Sequence, residues 1–241
     1  VILCGVGGVE AQTETVWRQC RKYNVPALAF VNKLDRPGAD FFSAVDQIRH
    51  RLETHPVPVQ MPYYDGDAFR GVVDLVEMRL LVWDDTQGSV MESLDVPEGI
   101  AREASAAREK MIEDMAEHDD AVMELYLAGR DMDAQSIRQA LRRLTLGRRI
   151  VPVMCGSALR NKGIQPLMDG IVDYLPSPTE TAPMVAHSRG PRSTVEIAPE
   201  AGGPLVAYVF KVYMDEGRRM VYLRIYSGTL SVGDEVYNST R

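Results

Sequence analysis

The sequence predicts an α/β protein whose parallel sheet is interrupted by an inserted α+β subdomain and followed by antiparallel strands. Residues 1–54 alternate between short apolar runs and segments of helical periodicity, which is typical of a parallel sheet built from strand–helix units. That alternation stops at about residue 57, and an apolar run of the same kind returns only at 150–155. After Pro176 and Pro178, apolar runs alternate with turn residues, which indicates antiparallel strands.

The first 54 residues contain two strand patterns and two helix patterns. Strands are predicted at 1–4 and 27–31, because both are apolar runs of the length of a buried strand. Helices are predicted at 10–23 and 40–53, where apolar residues recur three or four positions apart. Consecutive parallel strands need such crossover helices, so this order favours one parallel sheet.

Residues 57–148 are predicted to be the inserted subdomain, because apolar runs separated by turn residues give way to three helical patterns. The predicted strands are 59–61, 72–75 and 79–83, and the predicted helices are 98–117, 120–127 and 133–146. This block holds 19 acidic and 10 basic residues. It therefore accounts for all of the negative net charge of the chain, which is −7. An acidic surface repels DNA and suits a basic protein partner, or it serves solubility alone.

A strand at 150–155 and a helix at 165–175 return the chain to the first sheet. The predicted first domain therefore comprises residues 1–56 and 149–176.

Residues 177–203 are rich in Pro, Ser, Thr and Gly and are predicted to be a linker. Residues 204–241 are predicted to begin an antiparallel β-barrel, with strands at 205–213, 220–226 and 235–237.

Composition excludes some classes of protein. With 241 residues and 45% hydrophobic content the chain is expected to be globular, and no apolar run approaches the ~20 residues of a membrane-spanning helix. Three cysteines without Cys-x-x-Cys spacing predict a reducing compartment, and the four histidines lack zinc-ligand spacing. Because the chain opens at Val1 inside an apolar run, we expect it to be a piece of a longer protein.

The tetrapeptide Asn-Lys-x-Asp, formed by Asn32, Lys33, Leu34 and Asp35, follows the apolar run 27–31. It is therefore expected at the carboxyl end of a strand, where α/β sheets bind ligands. A carboxylate such as Asp35 can accept both the N1–H and the N2–H₂ of guanine, a pair of donors that adenine lacks. The lysine stem can cover the face of a purine, and the asparagine amide can bond the base and tie neighbouring loops. Taken alone, the tetrapeptide is more often a turn than a base-reading loop, because its residues are turn-forming types.

A second strand end supports the guanine interpretation. The run 150–155 is followed by Gly156, Ser157 and Ala158, and this order of two strand-end motifs is the base-recognition pair of GTP-binding domains. In such domains the backbone N–H after the serine, here that of Ala158, points at guanine O6. An adenine amino group at that place would leave two donors facing each other, which costs affinity.

Longer stretches extend the likeness to nearly the whole chain. They are residues 8–19, 23–26, 30–36, 71–78, 155–158, 161–163, 173–178, 226–228 and 233–234. In these stretches the sequence closely resembles the elongation factor G family of translational GTPases. The opening residues 3–9 look closer to the mitochondrial-type factor and its bacterial relatives.

The resemblance implies a ribosome-dependent GTPase that moves tRNA and mRNA through the ribosome and uses GTP and GDP. The parallel sheet would be part of a P-loop GTPase domain, and residues 57–148 would be the subdomain that contacts the stalk protein of the large ribosomal subunit. The localisation implied is the bacterial cytoplasm, with the mitochondrial matrix as the alternative. By motif match the guanine-binding residues would be Asn32, Lys33, Asp35, Ser157, Ala158 and Leu159, with Leu159 packing on the base.

Several parts of such a GTPase have no match in these 241 residues. No Gly-x-x-x-x-Gly-Lys-Ser/Thr occurs, so no loop that cradles the α- and β-phosphates is predicted. The threonine that binds Mg²⁺, the Asp-x-x-Gly motif and the water-positioning histidine of the family are expected upstream of Val1. We therefore predict no catalytic residue and no metal ligand here, no GTPase activity, and at most weak nucleotide binding.

Other functions remain open at this stage. The chain can belong to a related translational GTPase of ribosome recycling, release or antibiotic protection, or to a partner-binding module that hydrolyses nothing. A dinucleotide-binding loop at residues 5–8 is disfavoured because Glu10 stands where its last glycine is needed. The acidic pairs 84–85 and 119–120 are expected to be solvated, because adjacent side chains on one element point in different directions.

Overall fold

The computed structural model describes residues 1–83, 87–187 and 194–239. The chain forms two compact units, Val1–Leu175 and Pro176–Arg241. The acidic pair at 84–85 lies outside the described residues.

The first unit contains eight strands and six α-helices in its described residues. In chain order they are β1 (Ile2–Cys4), α1 (Ala11–Lys22), β2 (Ala29–Asn32), α2 (Phe41–Arg51), β3 (Pro56–Pro58), β4 (Gln60–Asp65), β5 (Ala68–Asp74), β6 (Arg79–Trp83), β7 (Met91–Asp95), α3 (Glu98–Ala116), α4 (Asp120–Leu127), α5 (Ala134–Leu146), β8 (Val151–Cys155) and α6 (Ile164–Tyr174).

The first sheet is parallel throughout, with strand order β1-β2-β8-β3, which confirms the predicted α/β class. Its register pairs Cys4 with Asn32 and Val31 with Cys155, so three strands end at the same edge. Parallel sheets covered on both sides are built from nearly continuous apolar strands, and every residue of β8 is buried.

The sheet is covered on both faces. Ala29 and Val31 of β2 join a core that includes residues of α1 and α2, whereas Phe30 joins a second core with residues of α3 to α6. Successive side chains of a strand point to opposite faces, so one run of apolar residues feeds both cores.

Residues 57 and 58 belong to the first sheet, although they were predicted to open the inserted block. The strand Pro56–Pro58 pairs with Val151–Val153 of β8, and Val57 is fully buried. Two prolines fit there because β3 is the last strand of the sheet and pairs on one side only.

The inserted block forms an antiparallel sheet of order β4-β5-β6-β7, which α3, α4 and α5 follow. The helices begin and end within a residue or so of the predicted positions. Strand β7 was not predicted, because all five of its residues are exposed and its sequence has no apolar pattern. Asp119, one of the acidic pair considered above, caps α4 by accepting the backbone N–H of Ala121 and Val122.

The second unit contains two antiparallel hairpins, β9 (Met184–His187) with β10 (Thr194–Ile197) and β11 (Val206–Asp215) with β12 (Arg218–Ser227). The pairing of β9 with β10 within the predicted linker at 177–203 was not predicted: β-forming residues pair there although Pro and Ser surround them. The predicted strand at 235–237 is wrong, since these residues form no strand and both Val236 and Tyr237 are exposed.

No helix within the described ranges is both long and apolar enough to cross a bilayer.

Candidate functional site

The first loop of the site begins where β2 ends. The backbone carbonyl of Asn32 accepts the N–H of Gly5 at 2.7 Å, and the next residue, Lys33, turns the chain with φ of 67°. Leu34 is 1% exposed, and its N–H donates to the carbonyl of Gly156 at 3.2 Å. The buried leucine and the two backbone bonds therefore fix this loop, and the side chains predicted to read a base lie on either side of the leucine.

Asn32 joins this loop to the second one. Its Oδ1 accepts the backbone N–H of Lys33 at 2.7 Å and that of Ala158 at 2.9 Å, across 126 residues of sequence. The N–H predicted to face a base oxygen is thus engaged by an amide oxygen. The Ala158 N–H can therefore bond a base only if it shares its hydrogen with Asn32 Oδ1 or if the Asn32 amide rotates away. The group of Asn32 that could donate to a ligand is its Nδ2.

A second bond joins the same two loops. The hydroxyl of Ser157 donates to Asp35 Oδ1 at 2.6 Å, and the serine is fully buried, whereas the aspartate side chain is 23% exposed. Arg160 Nε lies 3.8 Å from Asp35 Oδ2, but its side chain is mostly exposed, so this pair contributes little. The buried hydroxyl orients a carboxylate that still has free acceptor capacity.

The two remaining predicted residues, Lys33 and Leu159, have exposed side chains on the same two loops. Leu159 is 83% exposed.

The second loop is closed on itself. Ser157 and Lys162 exchange both backbone bonds, at 2.9 and 3.0 Å, around a short 3₁₀ turn at Ala158–Arg160. Gly163 follows with φ of 83°, and a Cβ there would lie 2.5 Å from the carbonyl of Cys155. Only glycine fits this position, so it fixes where α6 begins.

Sequence reasoning missed residues of the inserted sheet that contact the first loop or the strand that leads into the second loop. Tyr64 donates its hydroxyl to the carbonyl of Leu34 at 3.3 Å, and burial raises its pKa to about 12, which keeps the hydroxyl protonated. Gln60 accepts the N–H of Cys155 with Oε1 at 3.3 Å, while its Nε2 is buried without a partner among the described residues. A polar residue at the start of an apolar strand was the only available signal for Gln60.

A cavity of about 290 Å³ adjoins the first loop along β1. Of the six predicted residues only Asn32 and Lys33 line it, together with Glu10 and Thr13 near the start of α1. The thiol of Cys4 also lines it, and the backbone N–H of Gly7 lowers the pKa of that thiol.

The chain matches known proteins over most of its length. Residues 1–177 match the family model described as the elongation factor Tu GTP binding domain. Elongation factor G of Thermotoga sp. (strain RQ2) and that of Thermotoga maritima are each 46% identical over 235 residues, which cover 97% of this chain and 34% of the relative. Elongation factor G 2 of Syntrophus aciditrophicus is 44% identical over 240 residues, covering 99% of this chain and 36% of the relative.

A crystal structure of a protein from Thermus thermophilus is similar in fold, with a TM-score of 0.72 and 27% identity, covering 96% of this chain and 32% of that one. The chain therefore spans about a third of the length of the relatives it matches.

Proposed function

The chain belongs to the family of the elongation factor Tu GTP binding domain, and from this premise we propose that it supplies the guanine-recognising part of an elongation factor G-type translational GTPase. The observation that carries the proposal is the pair of bonds between the two loops. Asn32 holds Ala158, and Ser157 holds Asp35, so the residues suited to one purine meet at one edge of the sheet.

Each residue has a distinct task in this proposal. The carboxylate of Asp35 accepts N1–H and N2–H₂ of guanine while Oδ1 keeps the bond from Ser157, since a carboxylate has about four acceptor sites. Asn32 donates its Nδ2 to the ring nitrogen N7. The N–H of Ala158 is shared with O6, and the side chains of Lys33 and Leu159 cover the two faces of the base.

Phosphate binding and hydrolysis need residues other than these. The 241 residues contain no Gly-x-x-x-x-Gly-Lys-Ser/Thr, and among the described residues no three His, Cys, Asp or Glu side chains lie close enough together to hold a metal ion. Asp35 is the only carboxylate among the six predicted residues, and this proposal assigns it to the guanine base, so none of the six is left to bind the Mg²⁺ of a GTPase. We infer that this chain alone does not hydrolyse GTP.

The whole protein, in this proposal, acts on the ribosome and promotes movement of tRNA and mRNA, in the bacterial cytoplasm. The block 57–148, with 19 acidic and 10 basic residues, would meet a basic surface of a ribosomal protein, the stalk protein of the large subunit.

Nucleotide competition tests the base-reading proposal. In the full-length gene product, GDP should displace a bound fluorescent GDP analogue at concentrations far below those of ADP, because only guanine offers Asp35 two donors. Equal displacement by ADP and GDP would contradict the proposal.

Ribosome-stimulated GTP hydrolysis tests the wider role. Addition of ribosomes should raise the steady-state rate of the full-length gene product well above its rate alone. A rate that ribosomes leave unchanged would exclude a ribosome-dependent GTPase and leave base recognition as a separate property.

A further inference from the structure

Residues 87–90 form the turn that leads into β7, and this turn contacts the second base-reading loop. The carbonyl oxygen of Gly88 accepts Nδ2 of Asn161 and Nε2 of Gln165, both at 2.9 Å. The indole N–H of the buried Trp83 donates to Gln165 Oε1 at 3.1 Å and so sets which end of that amide faces Gly88. One carbonyl of the inserted sheet therefore holds two side chains that follow Ser157 and Ala158 in sequence.

Only glycine fits at the centre of this contact. Gly88 is buried and has φ of +63°, and a Cβ there would lie 2.3 Å from the carbonyl oxygen of Arg160 and 2.9 Å from Asn161. The backbone of the turn thus packs directly on the backbone of the loop, and any side chain at residue 88 would push the two apart.

We propose that Gly88, Asn161 and Gln165 form a positioning clamp through which the inserted sheet sets the base-reading loop, and so sets selectivity for guanine. This inference rests on the proposed function and adds to it the residues that hold the site in place. The loop closes on itself through Ser157 and Lys162, so without the clamp it could shift as one body. Such a shift would carry the Ala158 N–H and the Ser157 hydroxyl away from the base.

A pair of glycine substitutions tests the clamp in the full-length gene product. Gly88 and Gly66 both have positive φ, at +63° and +59°, but a Cβ at Gly66 meets nothing within 4 Å. G88A and G66A therefore carry similar backbone strain, and only the first displaces the loop. The readout is the ratio of ADP to GDP concentrations that displace half of a fluorescent GDP analogue, because this ratio does not depend on the fraction of folded protein.

We expect G88A to lower this ratio by about tenfold, the value of one lost hydrogen bond, and G66A to leave it unchanged. Equal ratios in the two variants would overturn the clamp. A wild-type protein with no preference for GDP would instead overturn the proposed function, so the two failures are distinguishable.

A milder pair guards against misfolding of G88A. Q165E keeps an acceptor for Trp83 but removes the donor to Gly88, and Q135E makes the same change at the same second position of α5, where the side chain is exposed. A carboxylate near a helix N-terminus is tolerated, so both variants should fold. Q165E should lower the selectivity ratio about threefold or more and Q135E should not. Matching ratios in Q165E and Q135E would likewise reject the clamp.

Discussion

The two loops of the candidate site are held in place in different ways, although both follow strands of one parallel sheet. The loop at 32–35 carries the amide, ammonium and carboxylate groups, and it is fixed by the buried Leu34 and by backbone bonds to Gly5 and Gly156 of the same domain. The loop at 157–162 contributes a hydroxyl and a backbone N–H, and it is anchored at Gly88 in the inserted sheet. The side chains that would bind the base thus come mostly from one short motif, whereas the position of the second loop depends on a residue that is distant in sequence.

The largest effect is expected where one side chain serves both loops. N32A removes the acceptor of the Lys33 and Ala158 N–H groups and a donor to the base, and should weaken GDP binding by about 100-fold in a competition titration. N32D keeps an acceptor for both N–H groups and loses only the donor, so it should keep the melting temperature of the wild type more closely than N32A does. GDP affinity unmoved in N32A would show that the loops do not depend on this tie.

A smaller effect is expected from the second bond between the loops. S157A frees the Asp35 carboxylate from a buried hydroxyl and should weaken GDP binding about tenfold. S227A, a buried serine of the second unit whose hydroxyl donates to the carbonyl of Glu200, is the matched control and should bind GDP like the wild type. If the two variants bind GDP equally well, Ser157 does not orient the carboxylate.

The contact from the inserted sheet to the first loop should be weaker than the clamp on the second. Y64F removes a 3.3 Å bond to a loop that the buried Leu34 and two backbone bonds already fix, so we expect GDP affinity to fall only about threefold. Its neighbour Tyr63 packs in the other core, which makes Y63F the control. If Y64F lowered the ratio of ADP to GDP concentrations as much as G88A does, the inserted sheet would position both loops equally, which would contradict the difference proposed here.

The smallest effect is expected from the exposed leucine. L159S removes an apolar cover from one face of the base and should weaken GDP binding about twofold to threefold. L127S changes a leucine that is 77% exposed at the end of α4 and should have no effect. Stronger GDP binding by L159S would place this residue away from the base.

Much of the first unit could be predicted because buried strands and helices leave recognisable patterns of apolar residues in the sequence. The runs at 27–31 and 150–155 are apolar since both faces of the sheet are covered, and the two motifs follow them directly. The sequence predicted that the two loops lie together at one edge of the sheet, but it did not predict the bonds that join Asn32 to Ala158 and Ser157 to Asp35.

What could not be predicted depends on exposure or on long-range pairing. Strand β7 is exposed along its length, so no apolar pattern marks it. Strand β3 contains two prolines, and only its pairing with β8 reveals that it belongs to the first sheet. Gly88 resembles any turn glycine in sequence, and its role depends on the Arg160 backbone 72 positions away.

The measurement that tests the base-reading assignment most directly is the base preference of D35N in the full-length gene product. Xanthine has an oxygen where guanine has its amino group, so an amide at residue 35 can donate to it, whereas the wild-type carboxylate cannot. We predict that D35N binds xanthosine diphosphate more tightly than GDP, and that D67N, an exposed aspartate in the β4–β5 turn, keeps the wild-type preference. A D35N protein that still prefers GDP would contradict the assignment of Asp35 as the residue that reads guanine.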